Sequence, residues 1–203
     1  MPTSETSICN LALQKLGEAR IVSLSEDSNT ARECEAAYEP MRDKELRANR
    51  WKFAIKRTTL APSATAPDFY YENAFVLPAD CLRPIFPPLL DLDWKVENHL
   101  GEPAILTNDG DTLQLRYVAK ITDPTIFDAL FVDSLACRIA WQLCERITQS
   151  NTKKQLIYEE YRISIQEAKK MNAIEIGHLI APQDEWISGR LSGQLVNSEW
   201  RQE

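Results

Sequence analysis

Apolar residues recur every three or four positions along the first part of the chain, and that spacing predicts helices. Ile8, Leu11, Ala12 and Leu16 fall on one face of a helix that Thr3 or Ser4 can cap and Gly17 can end. A loop, GEARIVSLSEDS, follows with Ile21, Val22 and Leu24 as a short apolar anchor. Ser28 or Asn29 then caps a longer helix from Thr30 to about Asn49, with Ala31, Cys34, Tyr38, Met41 and Ala48 as its inner stripe. Pro40 lies within it and removes a backbone hydrogen bond, which predicts a kink or two shorter helices meeting.

At Pro62 the pattern changes. Six of the eleven prolines fall between Pro62 and Pro88, among the aromatics Phe69, Tyr70, Tyr71 and Phe75, which excludes long helices. From Trp94 to Val118 three strands are expected, WKVEN, AILT and TLQLRYV, the last alternating Leu113, Leu115 and Tyr117 with polar residues. The NDGD turn at Asn108 to Asp111 is expected to join the last two as a hairpin.

Helical spacing resumes at Asp123 and Pro124, a start signal, and Phe127, Leu130, Phe131, Leu135, Ala136, Ile139, Ala140, Leu143, Cys144 and Ile147 make a helix apolar around most of its circumference. Such a helix belongs at the centre of a bundle or against a partner subunit. After Ser150 and Asn151 a fourth helix carries Leu156, Tyr158, Tyr161, Ile165 and Ala168 toward Ile174. Beyond Ile176 the periodicity fades into glycines, Pro182 and scattered anchors: Trp186, Ile187, Leu191, Leu195 and Trp200. The expected fold is mainly α, a bundle of about four helices with an inserted small β subdomain and an extended C-terminal arm. Its divisions are N-terminal helices over 1–61, a β-rich insertion over 62–121, C-terminal helices over 122–175 and a docking arm over 176–203.

Charge narrows the functional classes. The chain of 203 residues carries 30 acidic against 23 basic residues, a net charge of -7, which disfavours broad, sequence-independent DNA binding. Against that background LRANRWKFAIKR, Leu46 to Arg57, sets five basic residues beside Trp51 and Phe53. Between Arg42 and Arg57 seven basic residues face two acidic ones. The patch of Arg42, Arg47, Arg50, Trp51, Lys52 and Phe53 sits where the second helix ends, so its cations complement the negative end of the helix while the aromatics turn inward. In an assembly the patch can meet an acidic edge of the next subunit, such as Glu18 or the Ser25 to Asp27 loop. The competing expectation is a nucleic-acid-binding or packaging accessory that uses the same patch.

Other chemistry is sparse. The five cysteines, Cys9, Cys34, Cys81, Cys137 and Cys144, show no CxxC spacing, and His99 and His178 are the two histidines, so no metal site is expected. No GxSxG, P-loop or HExxH pattern occurs. Asp91 with Asp93, or Glu97 with Glu102, are the conceivable carboxylate pairs for glycoside cleavage, and surface charge explains them more simply. No catalysis, cofactor, secretion signal or membrane insertion is expected.

The run GEARIVSLSEDSNTARECEAAYEPMRDKELRANRWKFA resembles a pattern in head-to-tail adaptor proteins of tailed phages, the tail tubular protein A type. The matching positions are Gly17, Glu18, Arg20, Ile21, Ser23, Leu24, Ala31, Arg32, Cys34, Tyr38, Arg42, Asp43, Leu46, Arg47, Trp51, Phe53 and Ala54. Further matching blocks are LPADCLRP, the Pro124 helix, and YRISIQEAKKMNA followed by a proline, Trp186 and Arg190. Where relatives often carry a proline or an aromatic just before the tryptophan, this chain has Asn49 and Arg50. The resemblance implies a structural virion protein without enzymatic activity, made in the bacterial host cytoplasm and built into the tail at the head–tail junction. It implies a homo-oligomeric ring, dodecameric in the family, between the portal protein and a tail nozzle of the tail tubular protein B type. Genomic DNA passes transiently through such a ring. The arm bearing Trp186, Ile187, Arg190, Leu191, Leu195 and Trp200 is then implied to dock on the portal, and the β subdomain to contact the nozzle.

Overall fold

The structure, a computed structural model, describes residues 3–85, 93–108 and 110–176. Ser4 caps the first helix, α1 (Glu5–Leu16), through a reciprocal pair: the Ser7 amide donates to Ser4 Oγ at 3.1 Å and the Ser4 amide to Ser7 Oγ at 2.8 Å. Gly17 ends it with φ 75°, a left-handed conformation that a side chain would strain, and its amide and that of Glu18 satisfy the Gln14 and Leu13 carbonyls. Leu13 rather than Leu11 completes the buried face, and Leu11 stays 40% exposed.

Ser28 caps α2 (Asn29–Ala48), which runs through Pro40 as a single helix. The carbonyl that Pro40 leaves without its amide partner is that of Ala36, and both residues lie on the exposed face, where water can serve it. Ala48, expected in the inner stripe, is exposed; Arg42 and Glu45 are buried instead. A 3₁₀ turn at Lys52–Ala54 leads into the strands.

Among the described residues six strands come next: β1 (Ile55–Leu60), β2 (Asn73–Val76), β3 (Cys81–Ile85), β4 (Trp94–His99), β5 (Glu102–Thr107) and β6 (Leu113–Ala119). They form two antiparallel three-stranded sheets, ordered β1-β6-β3 and β2-β5-β4. Asp123 caps a second 3₁₀ turn at Pro124–Ile126, and Asp128 caps the helix proper, α3 (Ala129–Thr148), five residues later than the Pro124 signal predicts. Gln149 reverses the chain in a left-handed conformation, φ 52°, and α4 (Asn151–Ile176) returns. Helix α3 is central, packed against α1, α2 and α4.

A mainly α bundle is therefore incorrect. The chain is an α+β protein, 51% helix and 20% strand among the described residues, so the sheets are a principal component of the fold. They supply Phe75, Ile85, Ile105, Leu115, Tyr117 and Val118 to the same continuous core that holds Leu13, Leu46, Trp51 and Leu135. Three of the six strands are obscured in sequence. β1 is polar at most positions; β2 is four residues long; β3 contains Pro84, which an edge strand tolerates because its outer side needs no donor.

The expected hairpin across Asn108 to Asp111 does not form. β5 is the middle strand of its sheet, with both edges taken by β2 and β4, so β6 has to cross to the other sheet. The tight hairpin lies one strand earlier, where Leu100 (φ 54°) and Gly101 (φ 91°) form a two-residue turn between the paired His99 and Glu102. Positive φ at both positions matches the twist of the flanking strands.

Candidate functional site

The end of α2 and the chain leaving it are where the basic patch is built. Arg42 is 3% exposed and satisfied within its own helix, pairing with Asp43 at 2.8 Å and Glu39 at 3.2 Å. Trp51 is 1% exposed and donates its indole N–H to the Glu45 carbonyl at 3.0 Å. Phe53, half-buried, sits 6.2 Å from Trp51, 5.7 Å from Phe127 and 5.1 Å from Phe131 between ring centroids. Offset and edge-on arrangements of this kind add to the area the rings bury. The two aromatics of the patch are thus core, closing α2 onto the start of α3.

Lys52 faces outward and pairs with Glu175 and, at 3.9 Å, Asp128. The hydrogen bond it donates to the Glu175 carboxylate holds the Lys52 ammonium above its ordinary pKa. Lys56 pairs with Asp80 at 2.7 Å. Arg47 donates to the Leu82 carbonyl on β3, and neither it nor Arg50 pairs with an acid among the described residues. Of the six patch residues, Arg47 and Arg50 therefore keep uncompensated charge. Arg83, which the sequence did not single out, joins them: burial, then repulsion from Arg50 and Arg47, lowers its pKa. Its strand is the proline-bearing β3, the one least legible as a strand, and register there is what brings Arg83 to α2.

Beneath the patch lies a buried polar network. Glu45, 2% exposed, accepts from the Tyr161 phenol at 2.5 Å and pairs with Arg138 at 3.2 Å. The Arg138 guanidinium lies over the Trp141 and Tyr161 rings at 5.3 and 5.1 Å and donates to the Tyr161 oxygen at 2.9 Å. Burial and the neighbouring Glu45 carboxylate push the Tyr161 phenol well above the usual tyrosine range. Glu45 Oε2 and Arg138 Nε have no hydrogen-bond partner among the described residues. Helices α2, α3 and α4 are joined through this one carboxylate.

The expected acidic counterparts differ in state. Asp27 pairs with Arg32 at 2.7 Å and Glu26 accepts from the Val22 amide at 2.8 Å, so that loop spends its charge internally. Glu18 is exposed. Glu97 and Glu102 lie diagonally on neighbouring strands, Glu97 opposite Ala104 and Glu102 opposite His99, while Asp91 lies outside the described residues. The arm residues Trp186, Ile187, Arg190, Leu191, Leu195 and Trp200 also lie outside the described residues. Among the described residues no His, Cys, Asp and Glu group is placed to hold a metal ion, and no helix is long and apolar enough to cross a membrane.

Helix α4 contributes a feature that the sequence pattern misplaces. Ile157, Ile165 and Ala168 are its buried residues; Leu156 and Tyr158, expected inside, are 62% and 43% exposed. Leu156, Ile163 and Ile174, spaced by seven and eleven residues, fall on one outward line of the helix and are 62%, 68% and 63% exposed. No protein-family model matches the chain, and no curated protein matches it significantly.

Proposed function

We propose that the chain is a structural virion protein, a head-to-tail adaptor of a tailed phage whose copies associate into a ring between portal and tail nozzle, leaving a passage for the genome. The observation that carries this reading is the outward apolar line of α4. Leu156, Ile163 and Ile174 find no cover within the described residues, and Tyr158 and Met171 of the same helix are exposed as well. Covering each against a sister copy contributes about 1–2 kcal/mol, repeated at every contact of a closed ring. Arg47, Arg50 and Arg83 support the same reading, since uncompensated cations on an acidic chain suit contact with an acidic neighbour. Residues of the resembling block, Ala31, Cys34, Tyr38, Leu46 and Trp51, are core positions, which fits a motif that preserves shape.

The test is light scattering and particle imaging of the full chain, alone and with purified portal protein. Rings are expected in at least one setting, and Ile163→Asp should abolish them while leaving the helical circular dichroism intact. A chain that stays monomeric in both settings refutes the reading.

The second reading, a nucleic-acid accessory, is favoured by the same three guanidiniums. DNA retention that falls steeply with salt and disappears in the Arg47→Ala, Arg50→Ala, Arg83→Ala variant would support it; absence of retention at about 0.15 M salt leaves the adaptor.

A further inference from the structure

The sheet β2-β5-β4 has a second, outward face. Residues alternate along a strand, so Asp93, Lys95, Glu97 and His99 share that face, with Lys95 opposite Leu106. A small apolar floor of Ala74, Ala104 and Leu106, with Tyr71 packed against it, lies there, separate from the main core. The segment 65–71 crosses above this floor like a strap. It is tied at one end, where His99 Nε2 lies 3.0 Å from the Thr65 carbonyl oxygen, and at the other, where the Tyr71 phenol donates to Asp93 at 3.3 Å. Between the ties is an open cleft of about 610 Å³.

Two aromatic rings stand at its rim with almost nothing around them. Phe69 is 71% and Tyr70 87% exposed, and the rings meet edge to face at 5.1 Å. Their position is fixed from below. The Tyr71 amide donates to the Phe69 carbonyl at 2.9 Å, while the Asn108 side chain accepts from the Glu72 amide at 2.8 Å and donates to the Tyr70 carbonyl at 3.3 Å. The rings are therefore presented from a fastened turn.

The lining is also charged in one sense. Asp68, Asp93 and Glu97 stand against Lys95. None of the three carboxylates has an ion pair among the described residues, whereas Glu33, Glu39, Asp43, Glu45 and Glu145 on the helical body each do. Carboxylates beside open aromatic faces attract cations from two directions: the carboxylate by charge-assisted hydrogen bonds, the ring by its negative face.

We propose that this cleft docks an arginine- or lysine-bearing segment of a partner protein, its cations held by the separate carboxylates of Glu97 and Asp93 below and by the Tyr70 ring above. A nucleic-acid strand is repelled by the same lining. A neutral sugar can stack on the rings, but it leaves the excess of carboxylate charge uncompensated, so charge complementarity favours the basic segment. This inference does not depend on ring formation.

The experiment is a titration of the isotope-labelled full chain, followed by amide NMR, with an end-blocked peptide of alternating arginine and glycine. Its counterpart with glutamate for arginine and a neutral hexasaccharide serve as comparison ligands. Shifts confined to residues 65–71 and 93–99 are expected with the basic peptide only. Tyr70→Ala and Glu97→Gln should each weaken binding by about threefold or more, and Glu167→Gln on α4 should not change it. Both altered side chains are exposed, and unchanged thermal midpoints will show the variants folded. No shift at millimolar peptide, shifts spread over every acidic surface, equal binding by Tyr70→Ala, or selective binding of the sugar would each overturn the assignment.

Discussion

Glu45 is a buried carboxylate shared by three helices, so stability is expected to depend on its charge. Replacing it by leucine fills similar volume but removes the acceptor of the Tyr161 phenol and the partner of Arg138, whose side chain is 13% exposed. Breaking a buried pair from one side costs about 3–5 kcal/mol, because the remaining charge is left uncompensated. Here Arg138 keeps two ring faces, at 5.3 and 5.1 Å, so the lower end, about 3 kcal/mol, is expected. For a chain of this size that is a fall of roughly 6–12 °C in thermal midpoint. The double variant Glu45→Leu, Arg138→Met removes both charges and should recover most of the loss, as replacement of a whole buried pair is often neutral. Guanidinium denaturation followed by tryptophan fluorescence reads both, since Trp51 donates to the Glu45 backbone and reports on that joint. A single substitution costing under about 1 kcal/mol, or a double variant no more stable than the single one, would refute the assignment of charge compensation to this network.

Local chemistry sets two further outcomes. Burial opposes ionisation of Asp80, but Lys56 at 2.7 Å and the Tyr117 phenol at 3.0 Å outweigh it and hold the carboxyl below its ordinary value of 3.8. A depressed native pKa gives stability that is present above 3.8 and lost as pH falls below it, so Asp80→Asn should lower the midpoint at pH 6 and flatten its acid dependence in scanning calorimetry. In α2, Pro40→Ala restores an amide donor to an exposed turn, and the gain in helix propensity, up to about 3 kcal/mol, is partly offset by a freer unfolded chain. A net rise of about 1–2 kcal/mol in urea denaturation is expected, and a fall would mean that the ring of Pro40 packs usefully.

What can be seen in the sequence divides along physical lines. The caps Ser4 and Ser28 and the stop at Gly17 are local chemistry, written within a few residues, and the helix ends fall where they indicate. Strand pairing is not local. β1 finds β6 across more than fifty residues, and nothing in IKRTTL announces that partner. The Asn108 turn has the composition of a hairpin, while the actual hairpin places leucine at a position that asks for positive φ. At the patch, the aromatics and cations are visible as residue types, but their fates are decided by tertiary contacts. Lys52 is neutralised by Glu175, over a hundred residues away, and Arg83 is recruited by a strand that its own proline conceals. The buried Glu45 occupies a helix position that reads as polar, and no signal short of the packed structure marks it as central.

One small clamp has a mechanical consequence. The Asn172 side chain accepts from the Lys52 amide at 2.9 Å and donates to the Arg50 carbonyl at 2.8 Å, gripping the backbone on both sides of Trp51, with the Lys52 and Glu175 pair one turn further on. Tension drawn along the chain past Ile176 meets this grip before it reaches the contacts of α3 with α4. The final turn of α4 thus acts as a strain relief, and a pull applied at its end is delivered to the indole at the heart of the body rather than spent peeling a helix from its surface.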